Sequence, residues 1–364
     1  MAEYTVEKGA KMTHEIDKEL EEIIQRQATR IKVVGCGGGG GNSISRMREV
    51  GIKGCEILAI NTDAQDLLYT NADSKILIGR ELTHGLGAGS NPKVGEQAAK
   101  ESEQEIKKKL GEIDLVFVTC GLGGGTGTGS APVVCDIAKK MGALTIGVVT
   151  LPFTVEGQKR IENSQYGLER MAAVTDTLIV IPNDKLLEIA PDLPIHTAFK
   201  VADEILTNAV KGITELITKA GLVNLDFADI RAVMANGGVS LIGIGESDTN
   251  KNRANDAVEK AINNPLLDVD ISSATGALVN IIGGQDMSLD EYRQVMEVIG
   301  SKVAPDAKII SGAQISADMD KTIKVMLIVT GVKSNQIVGI STEFSKGEEQ
   351  ALSEELGIDF VKDA

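Results

Sequence analysis

The chain has 364 residues, with 37 basic and 52 acidic side chains for a formal net charge of −15, and 42% hydrophobic against 24% charged residues. That balance describes a folded chain with a sizeable core, long enough for two domains or one large one, and excludes disorder over most of its length. The acidic charge argues against nucleic acid and anionic membranes as partners, and no run of about 18 apolar residues is present to cross a bilayer.

The N-terminus, MAEYTVEKGAKMTHEIDKEL, is charged throughout and lacks the apolar stretch of a secretory signal, which points to the cytoplasm. Residues 13–30 place Ile16, Leu20, Ile23 and Ile24 at helical spacing between charges, so an amphipathic helix is expected ahead of the main fold. From Ile31 strands and helices alternate. IKVVG (31–35) reads as a strand, a glycine loop follows, and SISRMREVG (43–51) reads as a helix. Strands are expected at 55–61, 75–79, 114–119, 143–151 and 177–182, and helices from Asn91-Pro92, over 130–142 and up to about Thr175. Asn91 suits a helix cap and Pro92 the first helical position. This alternation predicts a parallel, Rossmann-like sheet covered on both faces. A long helix over 197–219 has an apolar band wide enough to lie buried between two units. Beyond it, strands at 239–245, 276–284, 307–315 and 322–332 predict a smaller α/β domain with a mixed sheet. The boundaries expected are an N-terminal extension (1–30), a nucleotide domain (31–196), the central helix (197–219), a C-terminal domain (220–334) and an acidic tail (335–364).

Four cysteines without C-x-x-C spacing and three scattered histidines give neither a disulfide framework nor a zinc site, and leave a serine or cysteine triad little to recruit as its base. Glycine is the informative residue, at 40 copies, about 11% of the chain against a usual ~7%. Twelve of them lie in two segments, Gly35 to Gly41 and Gly121 to Gly129, each directly after an apolar strand-like run. The first, Gly35-Cys-Gly37-Gly-Gly-Gly40, matches G-x-G-x-x-G, and Asp63 ends the next strand where a ribose-binding acid sits in nicotinamide enzymes. Its general content is a backbone that lets amide groups approach an anion at a helix N-terminus. The second, Gly123-Gly-Gly-Thr-Gly-Thr-Gly129-Ser130, adds the hydroxyls of Thr126 and Thr128. Neither contains the P-loop lysine motif. Two such loops, with Gly87-Ala-Gly-Ser-Asn91 at a third helix start, can encircle a longer phosphate chain than a dinucleotide presents, as a nucleoside triphosphate with Mg²⁺ requires. A third constellation, Asn224-Leu-Asp226-Phe-Ala-Asp229-Ile-Arg231, sets two carboxylates three residues apart, on one face of a helical turn. They could polarise a water or hold a cation; helix capping by Asn224 or Asp226 explains the same spacing.

Six segments in order, NTDAQDL (61–67), GAGSNPKVG (87–95), GGGTGTGS (123–130), PFTVEGQKR (152–160), IPNDKLL (181–187) and NLDFADIR (224–231), resemble the FtsZ family, the prokaryotic cell-division relatives of tubulin. The resemblance spans roughly residues 31–332 and implies a self-assembling cytoskeletal GTPase, cytoplasmic and placed at the mid-cell division site. It implies that Gly38, Gly39, Gly40, Gly41 and Asn42, with Gly125, Thr126, Gly127, Thr128 and Gly129, hold the phosphates of GTP or GDP, and that Ala88, Gly89, Ser90 and Asn91 sense the terminal one. Glu156 and Arg160 would lie near the ribose, Phe199 against the guanine ring, and Asp203 would accept its hydrogen bonds, with Asp63 and Asn183 completing the set. Mg²⁺ would sit on the phosphates, without protein metal ligands. Asn224, Asp226 and Asp229 would act in trans, on nucleotide held by the next subunit of a head-to-tail homopolymer. The acidic end ALSEELGIDFVKDA would be a docking peptide for a membrane-tethering division protein. A nicotinamide oxidoreductase and a nucleotide-binding filament protein with negligible turnover are the alternatives.

Overall fold

The computed structural model describes residues 29–332, apart from 190–193, 220, 224, 236, 250–251 and 268–269. The expected N-terminal helix, Asn224 and the acidic tail lie outside the described residues.

The first half alternates as the sequence predicts: β1 (Ile31–Cys36), α1 (Gly37–Glu49), β2 (Glu56–Asn61), α2 (Ala64–Tyr69), β3 (Ser74–Leu77), the short α3 (Arg80–Thr83), α4 (Pro92–Glu101), α5 (Glu103–Leu110), β4 (Leu115–Gly121), α6 (Thr126–Lys140), β5 (Leu144–Leu151), α7 (Gln158–Val174) and β6 (Thr177–Pro182). After the short α8 (Asp184–Ile189) come the central helix α9 (Ile195–Thr218), α10 (Phe227–Met234), β7 (Gly238–Ser247), α11 (Arg253–Ile262), β8 (Gly276–Gly283), α12 (Leu289–Lys302), β9 (Lys308–Ile315) and β10 (Ile323–Thr330).

Two expectations need correction. The glycine runs are not loops ahead of helices at 43 and 130; the helices begin inside them, at Gly37 and Thr126. Glycine is a poor helix former, but here the first turn is set by close packing of backbone on β1 and β4, which no side chain would allow. Nor are there two sheets. All ten strands form one sheet in the order β3-β2-β1-β4-β5-β6-β7-β10-β8-β9. Its halves are joined where Thr177, Leu178 and Ile179 pair in parallel with Gly238, Val239 and Ser240. Strands β1 to β6 are parallel to their neighbours. Strand β10 does not pair with β9 but runs antiparallel between β7 and β8, making the second half mixed.

Helices cover both faces. On one, α1, α9 and α10 bury Ile44, Met47, Leu206, Val210, Ile213, Ile230 and Met234 against strands of both halves. On the other, α4 to α7 and then α11 and α12 bury Ala98, Ile106, Val134, Leu168, Val258 and Ile299. The wide apolar band of the central helix thus bridges the two halves, as its sequence predicts.

Packing of α4 on α6 is set by backbone contact. A Cβ added at Gly129 would stand 2.0 Å from the carbonyl oxygen of Pro92 and 2.5 Å from the amide of Glu96, and neither backbone can yield. Gly129→Ala is expected to destabilise the fold by roughly 3 kcal/mol, read as a lower denaturant midpoint at unchanged m-value.

Candidate functional site

The C-terminal ends of β4 and β5 open into a cleft of about 330 Å³. An α-helix leaves its first amide groups without intrahelical partners and carries a partial positive charge there. Two such ends face this cleft: Gly38 and Gly39 of α1, and Gly125, Thr126 and Gly127 at the start of α6. Anion binding follows from backbone alone. The only cation among the lining residues is Arg160, ion-paired to Glu156. Glu156 is held in turn by the amide of Phe153, which donates to its Oε1 at 2.8 Å.

The far wall comes from the central helix. Phe199 is 40% exposed and stands edge-on to Phe153, ring centroids 5.3 Å apart, with a flat apolar surface left for a ring. One turn on, Asp203 accepts a hydrogen bond from Ser43 Oγ at 2.6 Å. Burial pushes its carboxyl above the usual range; the Ser43 hydroxyl and the Arg46 charge only partly offset this. Asn183 lines the cleft 4% exposed, and its buried Oδ1 has no partner among the described residues. A buried amide oxygen left unpaired is costly, so it fits a site that a polar ligand completes.

Of the predicted residues, Gly38, Gly39, Asn42, Gly125, Thr126, Gly127, Glu156, Arg160, Asn183, Phe199 and Asp203 meet in this cleft. Ser43, Thr150 and Pro152 also line it and were not singled out from the sequence. Gly40 and Gly41 lie behind it, buried within α1, and Gly129 packs on α4. Thr128 is buried and accepts the Gly123 amide at 3.0 Å. Asp63 does not reach the cleft; it caps α2, accepting from the amides of Gln65 and Asp66. The nicotinamide reading needs that acid on a ribose and so loses its second element.

The turn Ala88 to Asn91 stands against the start of α6. A Cβ on Gly125 would lie 2.7 Å from the Asn91 amide and 2.9 Å from the Ala88 methyl. Asn91 caps α4 by accepting the Lys93 amide.

Asp226 and Asp229 lie at the opposite end of the sheet. Asp226 caps α10, its Oδ1 accepting the Asp229 amide at 2.8 Å, and both carboxylates are solvent-exposed. The capping reading is therefore present in the structure, and leaves a second Asp226 oxygen and the whole Asp229 carboxylate facing water. Arg231 on the same helix donates to the carbonyl of Gly142, 3.0 Å away, just ahead of β5. The cleft begins at the other end of that eight-residue strand, at Thr150 and Pro152. At ~3.3 Å per residue the strand between Arg231's contact and the cleft is about 25 Å long. No group of three or more His, Cys, Asp or Glu able to hold a metal occurs among the described residues.

An open sheet with two glycine-built helix ends converging on one cleft, and a ring-and-carboxylate wall opposite, defines a nucleotide-binding α/β protein. The Tubulin/FtsZ family GTPase domain matches residues 30–191, and the FtsZ family C-terminal domain matches residues 238–333. The cell division protein FtsZ 1 of Thermococcus kodakarensis is 60% identical over 346 residues, 95% of this chain and 92% of that one. The FtsZ 1 of Methanocaldococcus jannaschii is 59% identical over 87% of each chain. A solved M. jannaschii structure described as an empty FtsZ dimer superimposes with a TM-score of 0.83 at 58% identity, over 88% of this chain and 93% of that one. The chain belongs to the FtsZ family of tubulin-like cell-division GTPases.

Proposed function

We propose that this protein hydrolyses GTP between subunits of a head-to-tail filament that scaffolds the division ring at mid-cell. The observation that carries the proposal is the separation of the nucleotide cleft from Asp226 and Asp229, at opposite ends of one sheet. Neither end holds a whole hydrolytic site. Stacking one end on the other joins them, and a heterologous contact that repeats makes an open polymer.

Within the cleft, the amides of Gly38 to Gly41 and Gly125 to Gly129 and the side chain of Asn42 take the phosphates, and Ala88 to Asn91 reads the terminal one. Glu156 and Arg160 border the ribose, Asn183 offers its unpaired amide oxygen, and Asp63 acts from behind by fixing the turn after β2. Phe199 stacks on guanine, and Asp203 accepts its N1 and N2 hydrogens. Mg²⁺, when bound with the nucleotide, would be held by phosphate oxygens and water and would offset the charge of the phosphates. In the neighbouring subunit Asp226 and Asp229 accept hydrogen bonds from the attacking water, with Asn224 orienting their loop. The water oxygen bonds to the terminal phosphorus as the bridging P–O bond breaks, which leaves GDP and phosphate. The division of labour follows the segments 31–196 for nucleotide binding, 197–219 as the connecting helix and 220–334 for the trans-acting carboxylates. The tail at 335–364 serves as the docking peptide for a membrane tether, and 1–30 as an extension.

Specific GTPase activity measured against protein concentration, with sedimentation in parallel, tests this. Activity is expected to be near zero at high dilution and to rise in step with the sedimenting fraction. Full specific activity from dilute, solitary molecules would overturn it.

A further inference from the structure

We propose that Asn163 is a positioning residue for GTP hydrolysis, holding the turn at residues 87–91 in the shape that reads the terminal phosphate; this rests on the role given to that turn above. Asn163 lies on α7, 6% exposed, away from the cleft lining. Its Nδ2 donates to the carbonyl of Ser90 at 3.0 Å and to the carbonyl of Gly123 at 3.1 Å. Both partners are acceptors only, so the amide orientation is dictated, and no acceptor side chain can replace it.

These two bonds join segments that are otherwise separate in sequence. Gly123 opens the glycine turn leading into α6, and Ser90 sits in the turn that rests on Gly125. Ser90 has φ of +57°, a left-handed conformation that a residue with a side chain rarely adopts, and Gly87 and Gly89 flanking it are left-handed too. The glycines adopt that region freely, but Ser90 keeps it only when its surroundings determine it. Asn163 supplies that constraint from beneath, at the carbonyl of the strained residue. The turn and the phosphate-binding amides of α6 are thereby held as one body. GDP lacks the phosphate that the turn reads, so loss of the clamp falls mainly on GTP, and GDP feels only the loosened hydrogen bond at Gly123.

The test compares GTP and GDP affinity, by nucleotide titration, in Asn163→Leu, Asn163→Asp and Gly89→Val. Leucine keeps the branched heavy-atom skeleton, with bulkier methyl groups, and removes both donors. Aspartate keeps the shape but sets an acceptor against two carbonyls, and regains one donor when its carboxyl protonates. Valine at position 89 has open space around it but cannot easily hold φ of +56°, so it distorts the turn directly. The ratio of GTP to GDP affinity is expected to fall about 10-fold in each Asn163 variant, with GDP affinity within about two-fold of the parent. In Asn163→Asp the ratio is expected to recover as pH is lowered through the buried carboxyl's raised range, whereas the parent ratio stays flat. Equal loss of both nucleotides, or an unchanged ratio in Asn163→Leu and Asn163→Asp while Gly89→Val shifts it, would overturn the role of Asn163. An unchanged ratio in Gly89→Val would instead overturn the reading of the turn.

Discussion

Mixing two inactive variants is expected to restore GTP hydrolysis. Asp226→Ser should bind GTP normally, since residue 226 stands at the far end of the sheet from the cleft, yet hydrolyse it at least 100-fold more slowly for want of the carboxylate. Serine retains an oxygen for the helix cap that Asp226 supplies to the Asp229 amide. The loss then reports on chemistry rather than on α10, where Asp226→Ala would add about 1 kcal/mol of lost capping. Thr126→Arg is the complementary lesion. Thr126 lines the cleft with its Oγ 2.6 Å from that of Thr62, and an arginine there fills the space meant for phosphate. Such a subunit binds no nucleotide but keeps Asp226 and Asp229. In a 1:1 mixture, a contact is competent when the nucleotide of the first variant meets the carboxylates of the second, which random pairing of ends makes about a quarter of all contacts. Activity up to about that fraction of the parent's, from partners each near zero, is the result expected of a colorimetric phosphate assay. A silent mixture that still sediments with GTP would contradict a shared site.

How much of this was legible beforehand follows from which interactions are local. The strand–helix alternation is a periodic signal, and the first half of the fold follows it closely. The helix starts at Gly37 and Thr126 are not, because intrinsic propensity argues against a helix beginning in glycine and only contact between the two runs and β1 and β4 decides it. The joining of the two sheet halves rests on three residue pairs between β6 and β7, placed together by a helix of 24 residues; nothing in either strand announces the other. The glycine clusters marked a phosphate site by composition, but the role proposed for Asp203 on guanine's edge came only with the family resemblance, since an isolated acid on a helix has no signature. Ser43 was hidden by its place in an apparent polar helix face. Asn163 does carry a signal: on α7 it falls in the buried stripe of Asn163, Gly167, Leu168 and Met171, and a polar amide in such a stripe requires partners.

Asp203→Asn is expected to make the nucleotide-free protein more stable while exchanging its purine preference. The carboxyl of Asp203 is held above its ordinary range chiefly by burial. A folded-state value raised above the unfolded one means that the ionised form is the disfavoured form in the fold. The penalty is therefore absent below the unfolded value of ~3.9, grows as pH rises from there towards the raised folded value, and is complete above it. Asparagine removes it and still accepts from Ser43 Oγ through its carbonyl. The melting temperature of the apo protein should rise at pH 7, and the gain should vanish near pH 4. Binding changes in the opposite sense. Guanine presents two donors, N1–H and the N2 amine, to what is now one acceptor and one donor, and the clash should weaken GTP about 10- to 100-fold. Xanthine carries a carbonyl at position 2 in place of the amine, so the asparagine amide pairs with it as the carboxylate pairs with guanine, and xanthosine triphosphate should become the better ligand. The parent's GTP affinity should also fall as pH drops through the raised range of Asp203, because the protonated carboxyl loses an acceptor, while the variant's affinity for the xanthine nucleotide should not follow that profile. Calorimetric titration of both nucleotides across pH, alongside apo melting curves, reads both effects on one residue. A variant that kept full GTP preference would remove Asp203 from the recognition of guanine.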